Sequence, residues 1–518
     1  MHPLAKLDHR FIWHPFTQMR DWLKCEPIVI ASGKGSVLRD VHGNEYLDAN
    51  ASIWTNLHGH RHPKINAAIQ RQLRKIAHSS ALGFANEPAS LLAEKLVQAA
   101  NPRGINDLRF TIYDLGTGSS RKSSVANPKL AKVFFSDDGS TALEVALKLS
   151  YEFTRRTRGP KTQPRFLSLD GAYHGDTVGA VSIGHIDLFH KAYSGLLFKT
   201  DKLRSPYCYR CPFNRAKPQR ADARTYVKCN NECIAAAEKA FSVQKKRGKP
   251  YTAFVFEPLI QGSAGMIAQP NGWLRNIATL AREHGAQLIA DEVMTGFGRT
   301  GFVEGKRGKG EKGKRSGTTA GFSPAPFPLF PVSHSLFGSH KEGIQPDFLC
   351  VAKGMTGGYL PMAATLTTQA VFDAFLGEYD EFKTFFHGHS FTANQLGSAA
   401  SLASLELLHS KRNIADRSRL QADLQAGLES LWTIPQIGDI RQVGLVAGIE
   451  LVRDWTTREP FEMRERAGIR VCEAMAKRGV LTRPIGNVIV LMPPYCTTRA
   501  QLNRIISALH DACIEVFR

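Results

Sequence analysis

Between about residues 130 and 360 the chain alternates short apolar runs with stretches of helical periodicity. The runs are "KVFFS", "RFLSLD", "AFVFEP", "AQLIADE" and "DFLCVAK". A strand buried on both faces reads as a continuous apolar run, whereas a half-exposed strand alternates. Strands of this type separated by helix-sized segments indicate βαβ units. The expected core is a mainly parallel sheet covered by helices. Such sheets bind ligands beyond the carboxyl ends of their strands, so those ends are where chemistry is to be sought.

Four of the ends carry it. The run Phe348 to Ala352 stops at Lys353, where desolvation disfavours the ammonium. Gly354, Gly357 and Gly358 follow and read as room for the chain to turn beside a flat ligand. The run Ala286 to Ala290 leads into Asp291, which can pair with a cationic nitrogen or simply cap its loop; Gly296, Gly298 and Gly301 lie close by. A third strand ends at Ser136. Gly139, Ser140 and Thr141 follow it and open a helix whose buried face is Ala142, Val145, Ala146 and Leu149. That start is either an anion site or an ordinary N-cap. The strand Arg165 to Leu169 precedes a loop with Tyr173, His174 and Asp176, whose aromatic ring can stack on a ligand or pack. Taken as a set, these groups are what pyridoxal 5′-phosphate requires. Its phosphate takes a helix start, its ring nitrogen a carboxylate, its ring an aromatic neighbour and its aldehyde a lysine.

The motifs "DEVMTGFGRTG" and "VAKGMTGGYLPMA" resemble the signature of class III (fold-type I) aminotransferases. "IWHPFTQM", "YHGDTVGAVSIG", "EPLIQGSAGM", "FFHGHSFTANQLGSAA" and "LTRPIGNVIVLMPPY" resemble the 7,8-diaminopelargonate synthases of that class. The resemblance runs from about residue 11 to 515. It implies an α/β fold of type I, with a large domain built on a mainly parallel sheet and a smaller α+β domain. Residues 1–60 would belong to the small domain, 61–385 to the large one and 386–518 to the small one.

The same resemblance implies the site. Lys353 would bind pyridoxal 5′-phosphate covalently and shuttle the proton. Asp291 would pair with the ring nitrogen, Tyr173 would stack on the ring and Val293 would pack on its other face. Gly139 and Ser140 would bind the phosphate, with His389 and Ser390 arriving from the neighbouring subunit of a homodimer. Ile53, Trp54 and Tyr173 would line the substrate pocket. Gly388 would contact substrate, and Arg483 would clamp a carboxylate. The implied reaction aminates 8-amino-7-oxononanoate to 7,8-diaminononanoate in biotin synthesis. The amino donor is S-adenosylmethionine or lysine: Phe16 stands where donors of the first kind go with Tyr, and "SIWTN" keeps one Trp of a pair. The alternative is another class III ω-amino acid or polyamine aminotransferase.

Three features lie outside this pattern. Residues 105–129 and 305–343 are rich in Gly, Ser, Lys and Pro without periodicity and read as surface insertions. The second holds seven Lys/Arg against two Glu and feeds the formal net charge of +21. A solvated loop accounts for it, so no nucleic-acid partner is expected. Cys208, Cys211, Cys229 and Cys233 have a spacing close to that of a structural zinc site, or are free thiols of a loop. No signal-peptide pattern or membrane span is read from the sequence, and with nine cysteines, an odd count, the expected setting is cytoplasmic.

Overall fold

The computed structural model describes residues 1–105, 111–113, 120–122, 127–301 and 335–518, with 111–113 and 120–122 as backbone only. Its centre is a seven-stranded sheet: β1 (Leu130–Ser136), β2 (Phe166–Leu169), β3 (Asp201–Leu203), β4 (Ala253–Phe256), β5 (Gln287–Asp291), β6 (Phe348–Val351) and β7 (Ala363–Thr368). The order across the sheet is β1-β7-β6-β5-β4-β2-β3. β7 runs antiparallel to both of its neighbours, and the remaining pairs are parallel. β2, β4, β6 and β7 are buried along their whole length, which is why the first three read as unbroken apolar runs. β7, "AATLTT", does not read that way. Its threonines are tolerated inside because Thr365 Oγ1 donates to the Ala142 carbonyl at 2.7 Å.

The helix Gly139–Arg158 buries Ala142, Val145, Ala146 and Leu149, as their spacing predicts. It opens on a capping box between Asp138 and Thr141 and carries Arg155, Arg156 and Arg158 in its last turn, where they oppose the helix dipole. Ile65, Ile69, Leu73 and Ile76 have the spacing of one helix face, but that apolar stripe is only half used. Ile65 and Ile69 pack with Ala400 and Ala403 of the helix Gln395–Leu408. The helix Pro63–Leu73 then ends, and Leu73 and Ile76 stay 54% and 45% exposed.

The first strands of the chain, Ile30–Lys34, Val37–Asp40 and Glu45–Asp48, form an antiparallel set. Glu45–Asp48 then pairs in parallel with Val480–Leu481 from near the other end of the chain. A further sheet holds Ile437–Val443, Val446–Asp454, Pro484–Ile485 and Val488–Leu491, with Glu459–Pro460 beside it. Among the described residues no helix is long and apolar enough to cross a membrane.

The reading of 305–343 as a surface loop fails for its last part. Phe337, Ser339 and His340 are fully buried. The reason is the buried Glu292 carboxylate, which accepts the Ser339 N–H at 2.7 Å and the Gly338 N–H at 2.8 Å. The basic run at 306–315 lies outside the described residues. The first insertion is likewise tied in at its end. Asn127 donates to the Ile105 and Gly343 carbonyls at 2.8 and 2.9 Å and accepts the Gln345 N–H at 3.0 Å.

Candidate active site

β6 delivers Lys353. Ala352 is still extended, and Lys353 then opens a short turn with φ 43°. A non-glycine residue in this left-handed region costs about 1 kcal/mol or more, so the buried strand before it and the turn after it must hold it there. Gly358 explains part of that hold. At φ +85° a Cβ would sit 2.8 Å from the Asn56 nitrogen. The glycines after Lys353 let the chain turn against the 55–58 segment, and Gly358 also lines the cavity. Burial pushes the Lys353 ammonium below its ordinary range, with Asp291 and Glu257 opposing the shift. Its Nζ lies 5.1 Å from the centre of the Trp54 ring.

Asp291 ends β5, directly beside β6 in the register Asp291 to Cys350. Its Oδ1 accepts the Val293 N–H at 3.0 Å, and its Oδ2 lies 2.8 Å from His174 Nδ1. The His174 and Asp291 side chains are 0% and 7% exposed. The same register places Glu257, the residue after β4, next to Asp291. Glu257 Oε1 accepts the Gly262 N–H at 2.9 Å, while Oε2 is buried and finds no hydrogen-bond partner among the described residues. Burial, with the Asp291 charge, pushes the Glu257 carboxyl up to about 7. Neither His174 nor Glu257 was assigned a role from the sequence. Glu257 carries the same signal as Asp291, a carboxylate at the end of an apolar run.

At the start of the helix Gly139–Arg158, Asp138 takes the Thr141 N–H on its side chain at 2.9 Å and the Ala142 N–H on its carbonyl at 3.1 Å. This leaves the Gly139 and Ser140 N–H groups as the open donors of the first turn. The loop after β2 closes onto them. Ser140 Oγ accepts the Asp176 N–H at 3.1 Å, and a Cβ on Gly175, at φ +118°, would strike that oxygen. Tyr173 donates to Asp176 Oδ2 at 2.6 Å; burial and that carboxylate push its phenol well above the usual range.

Lys353, Asp291, Tyr173, Gly139, Ser140 and Val293 all line one cavity of about 440 Å³, and Trp54 lines it too. An open N–H pair at a helix start, an oriented carboxylate and a desolvated amine are the donor set that pyridoxal 5′-phosphate demands, so the residues fit that group. Other expected residues are not brought in. Arg483, Gly388 and Ile53 are exposed and do not line the cavity. Arg483 stands two residues from Ile485, which packs in the same apolar cluster as Trp54. His389 Nδ1 lies 3.4 Å from Oδ2 of Asp137, a cavity residue of its own chain, and the Ser390 carbonyl is 2.9 Å from His78 Nε2.

The four cysteines, whose spacing reads as a structural zinc site or as free loop thiols, are all free thiols among the described residues. Among the described residues no group of three or more His, Cys, Asp or Glu is arranged to hold a metal ion. Burial, with the three neighbouring cysteines, pushes the Cys208 thiol up to about 12, and burial raises Cys229 and Cys233 as well. Charged side chains fasten this excursion instead. Arg210 Nε donates to Glu450 at 2.7 Å, Arg224 to the Gln442 carbonyl at 2.8 Å, and Arg458 to the Tyr209 carbonyl at 2.8 Å.

Comparison with known proteins places this geometry. The family model of class-III aminotransferases matches residues 20–305 and 332–513. The chain is 42% identical over 509 residues to an adenosylmethionine-8-amino-7-oxononanoate aminotransferase of Geobacter sulfurreducens, covering 98% of this chain and 97% of that one. It is 41% identical to a relative of the same name from Nitratidesulfovibrio vulgaris, covering 99% of this chain and 82% of that one. A crystal structure of the like-named enzyme from Methanocaldococcus jannaschii superposes with a TM-score of 0.80 at 36% identity, covering 99% and 98% of the two chains. An amine transaminase from an uncultivated Pseudomonas species, solved in its PLP-bound form, superposes at 0.78 with 28% identity, covering 97% and 98%.

Proposed function

The chain belongs to the class III aminotransferases, and from that premise we propose that it converts 8-amino-7-oxononanoate to 7,8-diaminononanoate in biotin synthesis, with S-adenosylmethionine as amino donor. The observation that carries the chemistry is the meeting of Lys353, Asp291 and the open helix start in one cavity. The choice of substrates is supported by near-full-length similarity to relatives named for that reaction.

When bound, pyridoxal 5′-phosphate supplies an aldehyde carbon that exchanges amines and a ring that takes up the electron pair released at the substrate carbon. The protein's residues do the rest. Gly139 and Ser140 present N–H donors and a helix dipole to the phosphate. Asp291, oriented by His174 and by the Val293 N–H, would hold a proton at the ring nitrogen. Lys353, its amine lowered by burial, would be the base and acid that handles the proton at the substrate carbon. Tyr173 and Val293, both in the cavity wall, would pack against the ring. Trp54 and Tyr173 shape the substrate pocket, and Ile53 and Arg483, exposed outside the cavity, would meet the substrate beyond its mouth, where a planar guanidinium suits the carboxylate.

A homodimer completes this reading. Gly388, His389 and Ser390 of a second copy would reach the phosphate and substrate, across an interface that would cover exposed Phe382, Phe386 and Phe391. The setting is cytoplasmic, the partners are small molecules, and the small domain consists of 1–60 and 386–518 around the large domain 61–385. For the donor, Phe16 meets Tyr173 edge-on at 6.5 Å and offers no hydroxyl at that point.

The test is a donor assay. Purified enzyme receives 8-amino-7-oxononanoate with S-adenosylmethionine or with lysine, and diaminononanoate is measured. Product with S-adenosylmethionine is expected. Product with lysine alone overturns the donor assignment, and product with neither overturns the substrate assignment.

A further inference from the structure

Four consecutive residues, Ala51, Ser52, Ile53 and Trp54, have φ of 50°, 48°, 59° and 69°. None is glycine. With ψ of 57° and 55° at Ser52 and Ile53, the segment is one turn of left-handed helix. Its hydrogen bonds are helical in pattern: Trp54 N–H to the Asn50 carbonyl at 2.9 Å and Thr55 N–H to the Ala51 carbonyl at 3.0 Å. L-residues disfavour this hand at every position, and Ile, branched at Cβ, disfavours it most. Such a turn persists only where its surroundings over-determine it.

One buried side chain supplies much of that constraint. Asp48 closes the strand Glu45–Asp48, and its side chain is 2% exposed. Its Oδ1 accepts the Ser52 N–H at 2.9 Å, and its Oδ2 accepts the Ser52 hydroxyl at 2.8 Å. Oδ2 also lies 3.0 Å from His60 Nε2. His60 Nδ1 faces the Asn56 amide at 2.8 Å and accepts from it, so Nε2 carries the hydrogen given to Asp48. Burial raises the Asp48 carboxyl, but the bonds from His60 and Ser52 outweigh it and hold it below its ordinary range. The turn that Asp48 grips carries Trp54 and Thr55 into the cavity beside Lys353 and leaves Ile53 exposed next to Trp54.

We propose that Asp48, acting through Ser52 and His60, is a positioning residue that locks the left-handed turn and so sets where Ile53 and Trp54 meet the substrate. The inference rests on the reading of Trp54 as a wall of the substrate pocket. It adds that the affinity of this wall is governed by a carboxylate behind the turn that does not itself line the cavity.

The test uses the full chain loaded with pyridoxal phosphate and compares Asp48→Ala, Ser52→Ala and the double variant Asp48→Ala with Ser52→Gly. Cofactor uptake is followed by absorbance, and kcat and KM are measured separately for the ketone and the donor. Loss of one hydrogen bond to a charged group corresponds to roughly a tenfold change in an equilibrium constant. Asp48→Ala is therefore expected to raise the KM for the ketone about tenfold or more, with smaller change in kcat and none in cofactor uptake. Ser52→Ala should give a smaller rise in the same direction. The double variant should recover part of the lost KM, because glycine takes positive φ without being held.

An unchanged KM in both single variants overturns the proposal. So does a loss of cofactor uptake in Asp48→Ala that glycine does not restore, since Asp48 then serves the fold. Should Asp48→Ala not fold, the KM of Ser52→Ala decides. If the wild type refuses 8-amino-7-oxononanoate but aminates another ketone, the substrate reading has failed. The KM comparison is then made with that ketone and judges the turn independently.

Discussion

His174 Nδ1 lies 2.8 Å from Asp291 Oδ2, and the pair is almost entirely withdrawn from solvent. With Val293 donating to the other oxygen, the Asp291 carboxylate is fixed in both position and direction. The ring-nitrogen partner is thus held by two donors from two different loops.

His174→Ala removes one of them. The expected result is a fall in kcat of about tenfold or more, the scale of one charge-assisted hydrogen bond, with cofactor still bound. Asp291→Asn should fall further, because an amide does not hold a proton at the ring nitrogen. Steady-state kinetics beside a cofactor titration checks both. A His174→Ala enzyme with wild-type kcat would show that Val293 suffices.

Lys353→Ala should abolish turnover and the visible absorbance of covalently held cofactor, while non-covalent uptake persists through the helix start. The variant should not be markedly unstable. It loses a desolvated amine, which was unfavourable where it stood. Absorbance spectra and thermal melts of the two proteins decide the matter.

Glu257 gives a pH signature. Its carboxyl is raised from an ordinary 4.5 to about 7, by burial first and by Asp291 second; His174 and Lys353 face it and lower it. A raised carboxyl means that the folded state holds a proton the unfolded state has released. Stability from this group is therefore full below about pH 4.5 and is lost as pH rises to about 7. Glu257→Gln cannot ionise. Its melting temperature relative to wild type should rise between pH 5 and 8, by an amount equivalent to at most about 3 kcal/mol. Parallel melting curves across that range would remove Glu257 as a titrating group.

The excursion that carries the cysteines depends on buried charge. Arg441 Nη1 donates to Asp439 at 2.9 Å and to Glu450 at 2.7 Å, and all three side chains are no more than 5% exposed. Arg441→Met leaves two buried carboxylates without their cation, a loss on the order of 3–5 kcal/mol. Denaturant midpoints should drop accordingly. Chelators should leave the wild-type midpoint unchanged where these ion pairs hold the segment; a drop on chelation would point to zinc at the four cysteines.

The sequence made some of this legible and hid the rest for physical reasons. Lys353, Asp291 and Gly139 were visible because each follows a run of residues that can only be a buried strand. β7 was hidden because its threonine hydroxyls are satisfied by a carbonyl of another element, a fact no local pattern carries. His174 was in view as a loop residue, but its distance to Asp291 is set by the packing of β2 and β5 on either side of β4. The left-handed turn at Ala51–Trp54 runs against the preference of every residue in it. Only Asp48 and its partners, brought in from outside the turn, make it possible. The closing part of 305–343 looked like loop by composition, yet Glu292 recruits its backbone into the core.

Asn127 joins Ile105, Gly343 and Gln345 at the amino ends of β1 and β6, whereas Lys353 and Asp291 work beyond the carboxyl ends of their strands. The first insertion returns to the fold through this stitch, a full strand length from the chemistry, whereas the second is also gripped by Glu292, the neighbour of Asp291. A change of sequence between Ile105 and Asn127 would therefore meet the fold first at the amino ends of these strands. The cost of a misjudged edit would appear as a less durable protein before it appeared as a slower one.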